Sequence, residues 1–284
     1  MSYFDLRIPG VKLTVVAADG LPVRPVTVDE LRIAVAETYD VIVEPTGADA
    51  FTIVAQAMDR TGFAAGTLAV RPGLRAAVPP VDPRAVLTMA DMGHGHGAEH
   101  AGHTMPVTPH PRTEHDNPLV DMQATMPMPK LDDPGIGLRG NGRRVLTYAD
   151  LSSAFPDPDG REPSRTIELH LTGHMERFAW SFDGVRFADA APLRLTYGER
   201  VRLVLVNDTM MTHPIHLHGM WSDLEDEQGR FKVRKHTIDM PPGSRRSYRV
   251  TADALGRWAY HCHLLYHMEA GMFREVHVEE GGRS

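Results

Sequence analysis

Two short clusters carry most of the metal-ligating chemistry of this chain. One is His213-Pro-Ile-His216-Leu-His218-Gly. The other is His261-Cys262-His263-Leu-Leu-Tyr-His267-Met-Glu-Ala-Gly-Met272. Cys262 is the single cysteine, so an internal disulfide cannot form and its thiolate is available as a soft ligand. Four residues separate Cys262 from His267, and four more separate His267 from Met272. A loop or one helical turn after Cys262 could bring all three onto one ion. With one more imidazole the set becomes two histidines, a thiolate and a weak thioether, which suits copper in electron transfer. Structural zinc would use Cys262 and the histidines but leave Met272 without purpose. Ordinary core histidines would explain one or two of these positions, not all six.

These residues need extended backbone to sort them. Side chains alternate between faces of a strand. A strand through 258–263 therefore turns His261 and His263 one way and Cys262 the other. His216 and His218 share a face by the same rule. His213 precedes Pro214, whose ring biases it toward extended geometry. The odd spacing and the proline are expected to let His213 turn away from its two neighbours and complete the cysteine site. His216, His218, His261 and His263 then form a second site of four imidazoles without a protein anion.

At this point the chain resembles a known family. His-x-x-His-x-His and His-Cys-His-x-x-x-His-x-x-x-x-Met are signatures of the last domain of multicopper oxidases, and both are matched without a gap. The wording of residues 169–184, 216–223 and 263–274 is similar to the copper-resistance protein A branch. The resemblance implies type 1 ligands His213, Cys262, His267 and Met272, a type 2 ligand His216, and type 3 ligands His218, His261 and His263. It implies an oxidoreductase with dioxygen as acceptor: electrons from Cu(I) or a small, including phenolic, reductant enter at the type 1 copper. They would pass through Cys262 to His261 and His263 and reduce dioxygen to water. A trinuclear cluster takes eight histidines, four of them from a first domain. Here the upstream motifs are missing, and His94-Gly-His96-Gly lies in a glycine-rich stretch. The expectation is a complete type 1 site, half-present type 2 and type 3 sets, and a missing N-terminal domain or second chain. Tyr266 stands where some of these oxidases place a carboxylate, leaving Asp223 and Glu225 as candidates for proton delivery. The alternative function is a non-enzymatic blue-copper electron carrier or a copper store.

The rest of the chain is ordinary by composition. Its 284 residues are 42% hydrophobic and 24% charged, with a formal net charge of −7. That balance gives no basic footprint for nucleic acid. No apolar run is long enough for a membrane span. The start, Met1-Ser-Tyr-Phe-Asp, lacks a basic leader and apolar segment; a periplasmic location is implied only by the resemblance.

Short runs rich in β-branched residues (Val11–Val16, Leu31–Val35, Tyr39–Glu44, Phe51–Ala55) predict strands in the first seventy residues. A second series predicts strands from Arg144–Tyr148 to Phe273–Val278, with a short helix near 264–269. We expect an all-β chain of cupredoxin-like Greek-key sandwich architecture, with one complete domain and part of another. The expected boundaries are 1–75 for a partial domain, 76–140 for a linker and 141–284 for the copper-binding domain. Residues 89–128 hold six Met (89, 92, 105, 122, 126, 128) and six His (94, 96, 100, 103, 110, 115). Thioethers favour Cu(I) and imidazoles Cu(II), so this tract could gather copper, or it could be a solvated spacer. Met220, Met240 and Met268 could add a methionine surface near the copper or simply pack in the core.

Overall fold

The structure, a computed structural model, describes residues 2–92 and 108–281. His94, His96, His100, His103 and Met105 lie outside the described residues. The chain forms two compact units: residues 1–86 with 131–155, and residues 87–130 with 156–284.

The first unit contains β1 (Phe4–Arg7), β2 (Leu13–Ala18), β3 (Leu21–Val28), β4 (Glu30–Ile33), β5 (Tyr39–Ile42), β6 (Ala50–Ala57) and β7 (Phe63–Ala69). They build two antiparallel sheets, ordered β4-β1-β6-β7 and β3-β2-β5. Pro22 and Pro25 sit in β3, an edge strand where a missing N–H breaks no ladder. Leu13, Val15 and Val28 are fully buried. The run Arg144–Tyr148 was expected to be a strand of the second domain. Instead it makes only a bridge from Val145 to Glu30. Arg144 O accepts Asp29 N–H at 2.8 Å, and Leu146 N–H donates to Glu30 O at 2.9 Å. Local strand propensity does not say which sheet a run will join.

The second unit contains β8 (Arg165–His174), β9 (Ala179–Phe182), β10 (Leu193–Thr196), β11 (Arg200–Asn207), β12 (His213–Leu217), β13 (Ser222–Glu225), β14 (Phe231–Lys235), β15 (Thr237–Met240), β16 (Arg245–Thr251), β17 (Gly256–Cys262), the helix α1 (Leu265–Glu269) and β18 (Phe273–Glu279). One sheet runs β14-β13-β16-β11-β8-β9 and the other β10-β18-β17-β12-β15. The pairs β8/β11 and β10/β18 are parallel while their neighbours are antiparallel, so the chain crosses between sheets as a Greek-key sandwich must. Between the sheets, Tyr248 of β16 hydrogen-bonds Tyr260 of β17 through their hydroxyls. Tyr260 also stacks on Phe182 of β9, with centroids 5.4 Å apart. Val201, Leu205, Phe182 and Val250 fill the same layer and are fully buried.

Tyr260 therefore marks the inner face of β17. Cys262 is two residues further along and faces the same way, into the core.

Candidate metal centre

Register explains the sorting of ligands. Ile215 of β12 lies opposite Cys262 of β17, and His216 lies opposite His261. His213 shares its parity with Ile215, so it falls on the inner face with Cys262. His216 shares the outer face with His261, with His218 next along the chain. His213 is the first residue of a continuous strand. The turn expected of Pro214 is thus not what separates His213 from His216: the odd spacing alone does so.

On the inner side, Cys262 Sγ lies 3.6 Å from His213 Nδ1 and 3.8 Å from His267 Nδ1, and the two Nδ1 atoms are 3.0 Å apart. Metal bonds of about 2.0 Å to nitrogen and 2.3 Å to sulfur would set nitrogens about 3.3–3.6 Å apart and nitrogen to sulfur about 3.6–3.8 Å. The triad thus fits a cation with only a few tenths of an ångström of adjustment. All three side chains are buried. Burial, with His267 alongside, drives His213 well below the usual histidine range, and burial lowers His267 to about 4. Both rings are therefore neutral and offer lone pairs. Burial also pushes the Cys262 thiol up, so a bound cation must displace its proton.

The loop after Cys262 is laced to the triad. Cys262 N–H donates to Met272 O at 3.1 Å, and Met272 N–H donates to His267 O at 2.9 Å. Met272 is fully buried. Gly271 has φ +123°, and a Cβ there would stand 2.6 Å from Trp180 O. The turn that delivers Met272 therefore requires glycine.

Two residues that the sequence did not single out hold the rings. Trp180 of β9 stacks on His267 at 4.3 Å and 19°. Thr209 Oγ1 is 2.7 Å from His213 Nε2, and its own hydroxyl donates to Asn207 Oδ1 at 2.9 Å. Thr209 therefore accepts the Nε2 proton of His213 and leaves Nδ1 bare toward the sulfur.

On the outer side the rings of His216, His218, His261 and His263 are neighbours. Centroids are 4.6 Å apart for 216–218, 5.2 Å for 218–261, 5.5 Å for 261–263 and 5.8 Å for 216–263. His218 and His261 bring their Nε2 atoms to 3.0 Å. His216 Nδ1 donates to His236 O at 2.6 Å and His261 Nδ1 to Cys262 O at 3.0 Å, each freeing Nε2. Burial lowers His216 to about 4 and also lowers His218 and His261. His263 Nδ1 is buried without a hydrogen-bond partner among the described residues. Three imidazoles that burial holds below the usual histidine range, beside a fourth with an orphaned ring nitrogen, suit late transition metals. Gly219, at φ +76°, follows the array where a Cβ would meet the Trp258 ring at 2.4 Å.

The profile of the multicopper oxidase family matches residues 160–282, and a second profile of that description matches residues 1–73. The chain belongs to the multicopper oxidase family. It is 69% identical over 312 residues to the Copper resistance protein A homolog of Pseudomonas syringae pv. tomato, covering 99% of this chain and 53% of that protein. Copper resistance protein A of Escherichia coli is 64% identical over 99% of this chain and 54% of its own length. The chain thus spans about half the length of these curated relatives. Fet3p, a multicopper oxidase that functions in iron import, shares the fold, with a TM-score of 0.64, 17% identity and coverage of 98% of this chain and 54% of that one.

Other sequence candidates fall elsewhere. Asp223 and Glu225 lie on β13 of the opposite sheet and are committed to arginines. Asp223 accepts Arg234 at 2.6 Å, and Glu225 accepts Arg202 at 2.7 Å and Arg249 at 2.6 Å. Such buried pairs hold strands together and are poor proton carriers. Tyr266 is exposed and packs edge-on against Trp180 and Phe178. Met220 and Met240 are buried core residues. No helix among the described residues is long and apolar enough to cross a membrane.

Proposed function

We propose that this chain is the copper-binding part of a multicopper oxidase that oxidises Cu(I), with phenols as secondary substrates, and reduces dioxygen to water in periplasmic copper resistance. One observation carries the reading. A thiol within 3.6 and 3.8 Å of two neutral imidazole nitrogens lies back to back, through a single strand, with four imidazoles. In this reading His213, Cys262, His267 and Met272 hold the type 1 copper. His216 belongs to the type 2 site, and His218, His261 and His263 to the type 3 pair. The first unit is part of a second cupredoxin domain, and the second unit is the C-terminal copper-binding one.

Copper bound in these places supplies one-electron chemistry, four Cu(I) and four protons being consumed for each dioxygen converted to two waters. The protein's own part is positional. The buried inner face keeps water from the thiolate. Thr209 and Trp180 fix the two rings. The peptide bonds from Cys262 to His261 and His263 join the two faces. The outer array is half of the eight-imidazole set that the family resemblance implies, so four more imidazoles from a further domain or chain complete it.

The test is oxygen uptake. The chain by itself should bind copper, turn blue and be bleached by one-electron reductants, but should not consume dioxygen. A larger protein containing it should consume dioxygen with Cu(I), and Cys262→Ser in that protein should abolish uptake. Reduction of dioxygen to water by the isolated chain would overturn the half-site reading.

A further inference from the structure

A second group of ligating side chains lies apart from the copper clusters, on the six-stranded sheet. His110, Glu114, His170 and Asp208 each offer an atom, and these atoms lie within 4.8 Å of one another. His170 stands on β8, and Asp208 directly follows β11. The parallel pairing of these strands sets Val206 beside His170 and Asn207 beside Leu171. His110 and Glu114 arrive from the methionine- and histidine-rich tract, four residues apart around the turn Arg112–Glu114.

The distances have the scale of a coordination sphere. His170 Nδ1 is 2.7 Å from Asp208 Oδ2 and 3.6 Å from Glu114 Oε1. His110 Nδ1 is 3.4 Å from Asp208 Oδ2 and 3.1 Å from Glu114 Oε2. Four donors at about 2.0–2.2 Å around a tetrahedral cation would be about 3.3–3.6 Å apart.

Two further features point to an ion. His110 Nε2 faces Ala124 O at 3.2 Å and His170 Nε2 faces Glu168 Oε1 at 3.5 Å. An acceptor behind each ring is the arrangement that orients metal-bound histidine and leaves Nδ1 free for the cation. Glu114 is buried, its side chain 0% exposed, and its Oε1 has no hydrogen-bond partner. Protons on the rings would satisfy Asp208, and hydrogen bonding to that carboxylate does raise His110 to about 9. They leave Glu114 Oε1 with no donor.

We propose that His110, Glu114, His170 and Asp208 form a separate site for a divalent first-row transition cation, of the zinc or copper(II) kind that a two-nitrogen, two-oxygen set favours. The ion fastens the middle of the tract to β8 and to the residue that follows β11, one residue from Thr209. The site stands independently of the copper chemistry proposed above.

The experiment is a zinc count on the copper-loaded protein after equilibration with zinc(II) and desalting. The parent should retain one zinc per chain more than Glu114→Gln and more than His110→Gln. Replacing His94, His96, His100 and His103 together by glutamine should leave that difference intact. The Glu114→Gln protein should keep its blue absorption, which separates loss of this site from loss of the fold. A copper(II) arm, with zinc as competitor, ranks the two cations. An equal zinc count in parent and Glu114→Gln, or a difference that follows the four tract histidines, overturns the proposal.

Discussion

Thr209→Val is the most informative single change near the buried triad. Valine keeps the shape and β-branching of threonine and removes only the hydroxyl. His213 is fully buried, so its Nε2 proton loses its one close acceptor, at 2.7 Å, and finds no water. Asn207 Oδ1 still accepts the residue 209 backbone N–H at 2.9 Å, while Met211 N–H loses its acceptor at 3.2 Å, so two donors are orphaned, of which the His213 ring is the fully buried one. An unsatisfied buried donor costs about 1–3 kcal/mol. Removing the partner that orients a ligating histidine weakens metal binding by about 10–100-fold, which corresponds to about 1.4–2.7 kcal/mol. The first figure is read in the unfolding of the metal-free protein and the second in its copper affinity. The assay is copper titration against a competing chelator, followed by blue absorption, beside thermal unfolding of the metal-free protein. We expect weaker copper binding and a lower midpoint for Thr209→Val, with Thr209→Ser close to the parent. A Thr209→Val protein with unchanged affinity and midpoint would refute the claim that this hydroxyl fixes the ring.

Two more outcomes follow from named contacts. Gly271→Ala forces a Cβ to 2.6 Å from Trp180 O at φ +123°; strain of about 1–3 kcal/mol should lower the thermal midpoint and loosen the Met272 loop, seen as a shifted visible spectrum of the copper-loaded protein. The Arg161 guanidinium holds the Asp159 carboxyl well below its ordinary 3.8. A carboxylate lowered in the folded state contributes stability that is full above 3.8 and is lost as pH falls through its folded value. Asp159→Asn should therefore flatten the acid limb of the stability curve measured by denaturant titration and leave the slope above pH 6 unchanged.

The buried triad of His213, Cys262 and His267 was legible because its cue is local. The spacing from Cys262 through His267 to Met272 and the parity of residues 213, 216 and 218 both survive in a single chain. The helix at Leu265–Glu269 was legible for the same reason. What escaped depends on contacts between distant segments. Thr209 and Trp180 are unremarkable in sequence and matter only once β9 and the loop after β11 reach the triad. Arg144–Tyr148 has strand chemistry but is claimed by Glu30 of the first unit. Asp223 and Glu225 read as candidates for proton delivery until Arg202, Arg234 and Arg249 are seen to pair with them. His170 and Asp208 are thirty-eight residues apart and meet only through the parallel register of β8 and β11.

The central claim is that one strand serves two centres, its sulfur turned inward and its flanking imidazoles outward. X-ray absorption at the copper edge, on protein carrying one equivalent of copper, tests it most directly. The account predicts one sulfur and two imidazole nitrogens around that copper, unchanged when His216 and His261 are both replaced by glutamine. A first equivalent with only nitrogen neighbours, or one whose sulfur signal vanishes in that double variant, would contradict it.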